Sequence, residues 1–112
     1  MNSNLLRGSI ESIVIKLVAE HREVYGYQIC QLVKSMTDSK ILLTEGALYP
    51  ILHKLEINGT LEVELRNVEG RTRKYYKLTQ NGHSILDQKL GEMKEYLEQM
   101  SLIFQPTIKN LT

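Results

Sequence analysis

The sequence predicts a mainly helical domain carrying one small β-hairpin, an α+β arrangement poor in strand. Three observations predict it. Apolar residues recur at helical spacing over most of the chain, they switch to strict alternation only after Gly59, and a last helical series runs from Leu86 to Phe104. A chain of 112 residues, 42% hydrophobic and 24% charged, suits one globular domain. No apolar run is long enough to span a bilayer, and Met1-Asn2-Ser3-Asn4 is unlike a cationic leader, so cytoplasmic residence and no membrane partner are expected.

Each element has its own signature. Residues 4–20 set Leu6, Ile10, Ile13, Val14, Leu17 and Val18 along one stripe, which predicts a first helix. Gly26 breaks the pattern as a turn residue, and residues 27–36 resume it through Ile29, Leu32, Val33 and Met36. Thr37–Lys40 is a polar connector. A third helix follows, with Leu48, Ile51, Leu52 and Leu55 on one face, Thr44 as N-cap and Asn58-Gly59 as a left-handed stop.

That third helix contains two residues that argue against it, Gly46 and Pro50. An interior proline removes a donor, crowds the carbonyl four residues back and costs roughly 3 kcal/mol. The residue four back is Gly46, whose flexibility eases the clash. Facing away from the apolar stripe, Gly46 would also let another molecule approach the backbone. The plainer alternative is a kinked core helix whose glycine packs on a neighbour.

The period then changes. Leu61, Val63 and Leu65 alternate with Glu62, Glu64 and Arg66, as in a half-buried strand. Glu69–Thr72 reads as the turn, with Gly70 near its tip, and residues 73–79 as the returning strand. A long helix is expected from near Asn81 to about Phe104, with Pro106 opening a tail over 106–112.

The net charge of +1 says little, but its distribution says more. Residues 66–77 gather Arg66, Arg71, Arg73, Lys74 and Lys77 against Glu69 alone, whereas residues 87–98 are acidic. One basic face suits a nucleic-acid binder; a solvated turn is the bland alternative. Three helices followed by a hairpin is the winged helix-turn-helix order, in which the third helix enters the major groove and the hairpin lies over adjacent backbone. The candidate DNA contacts are therefore Thr44, Glu45, Gly46 and Tyr49, with His53 and Lys54 one turn on, and Arg66, Arg71, Arg73 and Lys74 on the wing.

Other chemistry is thin. His21, His53 and His83 lie on three separate elements without paired ligand spacing, so no metal is expected. The single Cys30 rules out an internal disulfide and reads as a small apolar residue. No nucleophile–base set, glycine-rich phosphate loop or carboxylate pair can be assembled. Neither catalytic residues nor a cofactor are expected, and the chain does not read as an enzyme.

Three stretches resemble a known family. "GYQI" (26–29), "LTEGALYPILHKLEINGTLE" (43–62) and "RKYYKLTQNGHSIL" (73–86) are similar to the hallmark segments of the PadR family of bacterial winged-helix transcriptional regulators, and the resemblance covers about residues 5–104. It implies a DNA-binding regulator of the smaller subfamily, in which the single helix after the wing supports dimerisation. It also implies that a small-molecule effector can bind near the dimer interface. The chain departs from multidrug-sensing relatives in having no tryptophan to sandwich planar ligands.

The last helix supports the dimer independently. Leu86, Leu90, Met93, Leu97, Met100 and Phe104 form an unbroken seam spaced by four and three. Its expected partners are the same seam and Leu6, Ile10, Ile13 and Leu17 of the first helix in a second copy; the plainer alternative is that it packs on that first helix of its own chain. The division expected is a winged helix-turn-helix domain over 1–80, a dimerisation helix over 81–105 and the tail. The function expected is a homodimeric repressor on a palindromic operator in double-stranded DNA. The alternative is a winged-helix module that binds protein without specific DNA contact.

Overall fold

The computed structural model describes the backbone of residues 3–111 and the side chains of residues 4–105. In order, its elements are α1 (Ser3–Arg7), α2 (Ile10–His21), α3 (Gly26–Met36), α4 (Glu45–Ile57), β1 (Leu61–Val68), β2 (Arg71–Leu78) and α5 (Gln80–Leu111). The single first helix expected over 4–20 is two. Gly8 and Ser9 interrupt it, the Ser9 amide turns back to the Leu6 carbonyl at 2.8 Å, and α2 restarts at Ile10. Glycine is a weak helix former and serine competes for backbone hydrogen bonds, so the break falls there.

The apolar stripes meet in one core. Val14, Ile15 and Val18 of α2, Ile29 of α3 and Leu48, Leu52 and Leu55 of α4 are sealed from solvent, with Val24, Leu61 and Tyr76 closing the hairpin side. The antiparallel register pairs Leu61 with Leu78 and Val63 with Tyr76, so one face of the hairpin base lies on the helices. Val24, between α2 and α3, adds a one-residue third strand: its amide and carbonyl both bond to Tyr76, at 3.1 and 2.7 Å.

The hairpin turn is tighter than expected. Strand pairing continues to Val68 and Arg71, leaving only Glu69 and Gly70 between, both with positive φ (53° and 80°). That is a two-residue turn whose twist matches the flanking strands. Gly26 also differs from expectation. It opens α3 instead of forming a turn, and a Cβ there would stand 2.9 Å from the Tyr49 hydroxyl.

Helix α4 keeps its expected ends. The Thr44 hydroxyl accepts from the Ala47 amide at 3.2 Å. At the other end Gly59 is left-handed (φ 81°), the Gly59 amide bonds to the Glu56 carbonyl at 3.2 Å, and the Thr60 amide to the Leu55 carbonyl at 2.9 Å. This paired closure satisfies the last carbonyls. The helix runs unbroken through Pro50. Nothing lies within 4 Å of where a Gly46 Cβ would stand, so that glycine makes no room for a neighbour within this chain.

Helix α5 starts at a tight junction. The Thr79 hydroxyl accepts from the Gly82 amide at 3.0 Å and donates to the Gly59 carbonyl at 2.6 Å. Ile85 and Leu86 pack on the core, and the helix then projects beyond it. The helix does not stop near Phe104: it continues through Pro106 to Leu111, so the segment expected as a tail is helical up to that residue. A proline forfeits one bond of the ladder, and here the turns on either side retain helical form. The 15.9 Å radius of gyration exceeds the roughly 13 Å of a compact chain of this length, as a projecting helix requires.

Two glycines of α5 make opposite predictions. A Cβ on Gly82 would lie 2.3 Å from the Thr60 carbonyl oxygen, whereas one on Gly91 meets nothing within 4 Å. Gly82→Ala should lower unfolding stability in urea by about 1–3 kcal/mol, the usual cost of overpacking. Gly91→Ala should raise it by up to about 1 kcal/mol through helix propensity.

Candidate nucleic-acid interface

Helix α4 and the wing carry the expected contact residues, and Tyr49 of the first shares a cleft with Arg73 and Lys74 of the second. Helix α4 buries Leu48, Leu52 and Leu55, so 3.6-residue periodicity turns Gly46, Pro50, His53 and Ile57 outward, and all four are exposed. Thr44 and Glu45 lie exposed at its start, where a helix presents unpaired amides. Tyr49 sits on the flank of this row. Its ring leans over Gly26, and its hydroxyl makes a long 3.5 Å contact with Glu45. Burial, with help from the Glu45 charge, pushes the Tyr49 hydroxyl pKa up.

Tyr49 and the wing share a cleft. Tyr25, Gly26, Tyr27 and Gln31 form one wall, Tyr49 the floor, and Thr72, Arg73, Lys74 and Tyr76 of β2 the other wall, around a volume of about 510 Å³. Tyr27, Gln31 and Thr72 are not among the residues the sequence singles out. The first two stand four apart on the polar face of α3, a spacing that could have marked them.

The wing cations fall into two groups. Arg71 and Lys74 are exposed and have no ion-pair partner among the described residues. Arg66 and Arg73 are engaged. Both Arg66 Nη atoms donate to the Glu23 carboxylate, at 2.8 and 2.6 Å; Nη2 also reaches Glu64 at 2.6 Å, and the guanidinium lies 4.3 Å from the Tyr75 ring centroid. Arg73 covers the Tyr25 ring at 4.1 Å, and Tyr25 meets Tyr75 edge-on. The hydrogen bonds from Arg66 hold the Glu23 carboxyl below its ordinary range, against a smaller opposing effect of burial. Those to Glu23 and Glu64 raise the Arg66 pKa.

Lys54 is also turned aside, pairing with Glu11 of α2 at 3.1 Å. Of the expected DNA contacts, Thr44, Glu45, Gly46, Tyr49, His53, Arg71 and Lys74 are exposed, and Tyr49 and Lys74 share the cleft. Arg66 is braced within the chain, Arg73 lies on the cleft wall, and Lys54 points toward α2.

The expected interface residues divide similarly. Ile10 and Leu17 are 6% and 3% exposed within the single chain, so its own core consumes them. Leu6, Ile13 and Leu86 are partly buried against that core. The outer seam is open: Leu97 and Phe104 are 58% and 53% exposed, and Leu90 is also exposed, with Met93 and Met100 half-buried between them. Among the described residues no group of three His, Cys, Asp or Glu could hold a metal ion, and no helix is long and apolar enough to cross a membrane. Burial raises the Cys30 thiol pKa, which opposes reactivity.

Known proteins share this geometry. Residues 14–88, from the core of α2 to the start of α5, match the model of the transcriptional regulator PadR-like family. The chain belongs to that family. Transcriptional regulator Rv3488 of Mycobacterium tuberculosis is 34% identical over 77 residues, 69% of each chain. An uncharacterized protein X of Lysinibacillus sphaericus is 30% identical over 106 residues, 94% of this chain and 96% of that one. The crystal structure of a PadR family transcriptional regulator from Eggerthella lenta superposes with a TM-score of 0.72 at 30% identity, covering 90% of this chain and 86% of the other. As a PadR-like chain this is a regulator of transcription, with the winged-helix fold of its solved relatives.

The Glu23–Arg66 pair yields a pH prediction. Folding lowers the Glu23 pKa, so its stabilising contribution is complete above the unfolded-state value and is lost as pH falls through the folded-state value. The melting temperature of wild type should exceed that of Glu23→Gln at neutral pH. The gap should close on acidification through the carboxylate range; a gap that widens there would contradict the assignment.

Proposed function

We propose that this chain is a sequence-specific, homodimeric DNA-binding repressor that acts by occupying a palindromic operator. The observation that carries the reading is that Tyr49, at the flank of the exposed α4 face, lines one cleft with Arg73 and Lys74 of the wing; Arg71 stands outside that cleft, nearer the tip of β2. On this reading α4 enters the major groove, where Tyr49 and His53 meet base edges. Thr44, Glu45 and Gly46 bring the helix start close to the backbone, and Arg71 and Lys74 grip phosphate. Arg73 supports the grip from the cleft wall, while Arg66 and Lys54 contribute mainly by bracing the wing and α4.

Pairing through α5 completes the reading. Beyond Leu86 the seam residues are exposed or only partly buried among the described residues, and a second copy would supply apolar cover. A two-fold axis then sets two copies of α4 on two half-sites. Met93 and Met100 give the seam adaptable walls, and a small effector seated there would release the operator by changing the spacing of the two helices. A mobility-shift titration on the DNA upstream of its own gene, against random duplex, tests the core of the proposal. Equal affinity for both DNAs would favour a protein-interaction module instead.

The wing and the seam can be tested separately. Arg71→Gln with Lys74→Gln should weaken binding to every duplex by similar factors, and should flatten the slope of log affinity against log salt by about one for each phosphate no longer neutralised. An unchanged slope would remove the wing edge from the interface. Leu97→Glu should convert the dimer to monomer in sedimentation and abolish the operator shift while leaving the winged domain folded, because a buried unpaired carboxylate is strongly disfavoured. A wild type that sediments as a monomer at micromolar concentration would sink the dimeric reading.

A further inference from the structure

We propose that Glu23 sets how much of the wing's charge reaches DNA: it holds the Arg66 guanidinium on the outer face of the wing and keeps that cation off the phosphate backbone. The inference rests on the DNA-binding reading and adds to it a residue outside α4 and the hairpin that governs specificity.

The geometry is that of a site already filled. The two Glu23 oxygens take both Nη atoms of Arg66, a second carboxylate from Glu64 takes Nη2 again, and Tyr75 lies under the guanidinium plane. A carboxylate fork and a phosphate offer arginine the same bidentate pair of acceptors, so Glu23 occupies the position a phosphate would claim. To touch DNA, Arg66 would have to surrender these hydrogen bonds and its place against the ring. Arg71 and Lys74, further along the same hairpin, have no comparable carboxylate partner among the described residues.

The position of Glu23 makes the restraint selective. Glu23 precedes Val24, whose two backbone bonds to Tyr76 anchor that stretch along β2. From there its side chain reaches across β2 to Arg66 on β1, and Arg66 and Arg73 are directly opposed in the register. Non-specific binding is almost entirely counterion release, so each phosphate left without its cation lowers it and spares the base-edge contacts from α4. Specificity rises because binding to every other sequence is reduced.

The test is the salt dependence of binding by the full chain on random duplex and on its upstream DNA. Glu23→Gln should bind random duplex more tightly, with a slope steeper by about 0.9 for each wing engaged, and should discriminate less between the two DNAs. The double variant Glu23→Gln/Arg66→Gln should return to the wild-type slope. Glu98→Gln makes the same change in net charge on an exposed part of α5 and should leave the slope unchanged. An unchanged or shallower slope for folded Glu23→Gln, or an equal steepening by Glu98→Gln, overturns the proposal. If Glu23→Gln does not fold, the double variant decides: a slope shallower than wild type means that Arg66 touches phosphate, and the proposal fails. A wild type that binds neither DNA overturns the DNA-binding reading and this inference with it; failure of the variants alone leaves that reading standing.

Discussion

Where Gly82 meets the Thr60 carbonyl, three elements are fixed at once. The end of α4 closes through Gly59 and Thr60, the hairpin begins at Leu61, and α5 departs from Thr79, whose hydroxyl bridges the Gly59 carbonyl and the Gly82 amide. The buried Thr60 adds its own hydroxyl, donated to Asn58 at 2.7 Å, so the junction leaves no buried side-chain polar atom unpaired among the described residues. A side chain on Gly82 would drive α5 off this seat. The angle between α4 and α5 is thus set by a backbone-to-backbone contact, which cannot adjust as a side-chain contact can. The helix that borders the cleft and the helix that carries the open seam are joined directly at this point, and indirectly through Glu11 of α2, which meets Lys54 of the one and Lys89 of the other.

The two faces of the wing are held by different forces. Its inner face is apolar at the base, where Leu61, Tyr76 and Leu78 sit on the helices and area burial does the work. Its outer face sets Arg66 directly opposite Arg73, a like-charge pair that destabilises a bare hairpin. Glu23, Glu64 and the rings of Tyr25 and Tyr75 surround those two cations and make the pairing tolerable. The side chains involved are about a third exposed or more, so the arrangement orients the wing more than it stabilises the fold.

Much of this is legible in the sequence because it depends on period and on local chemistry. The stripe through Leu48, Leu52 and Leu55, the Thr44 cap and the Asn58-Gly59 stop each follow from residues within one turn of each other. The helix break at Gly8-Ser9 escapes the pattern because the apolar stripe continues in phase across it. The helix after Pro106 escapes it because a single proline weighs more in a short motif than in a long exposed helix. Among the site residues, the exposure of Thr44, Gly46 and His53 follows from periodicity, but the fates of Arg66 and Lys54 do not. Glu23 and Glu11 lie 43 positions away from them, a separation that no local pattern spans. The engagement of Ile10 and Leu17 in their own core has the same origin: a stripe says which residues want burial and is silent about what buries them.

The two-residue turn at Glu69 and Gly70 has an evolutionary consequence. Because successive strand residues point to opposite faces, a one-residue slip of β2 against β1 would exchange the faces of everything beyond the turn. Tyr76 and Leu78 would leave the core for water, and Tyr75 and Arg73 would be driven inward. A change of length near the tip is tolerated only where the loop itself widens or both strands lengthen together, so the turn, and not either strand alone, is the place where this hairpin can vary in reach.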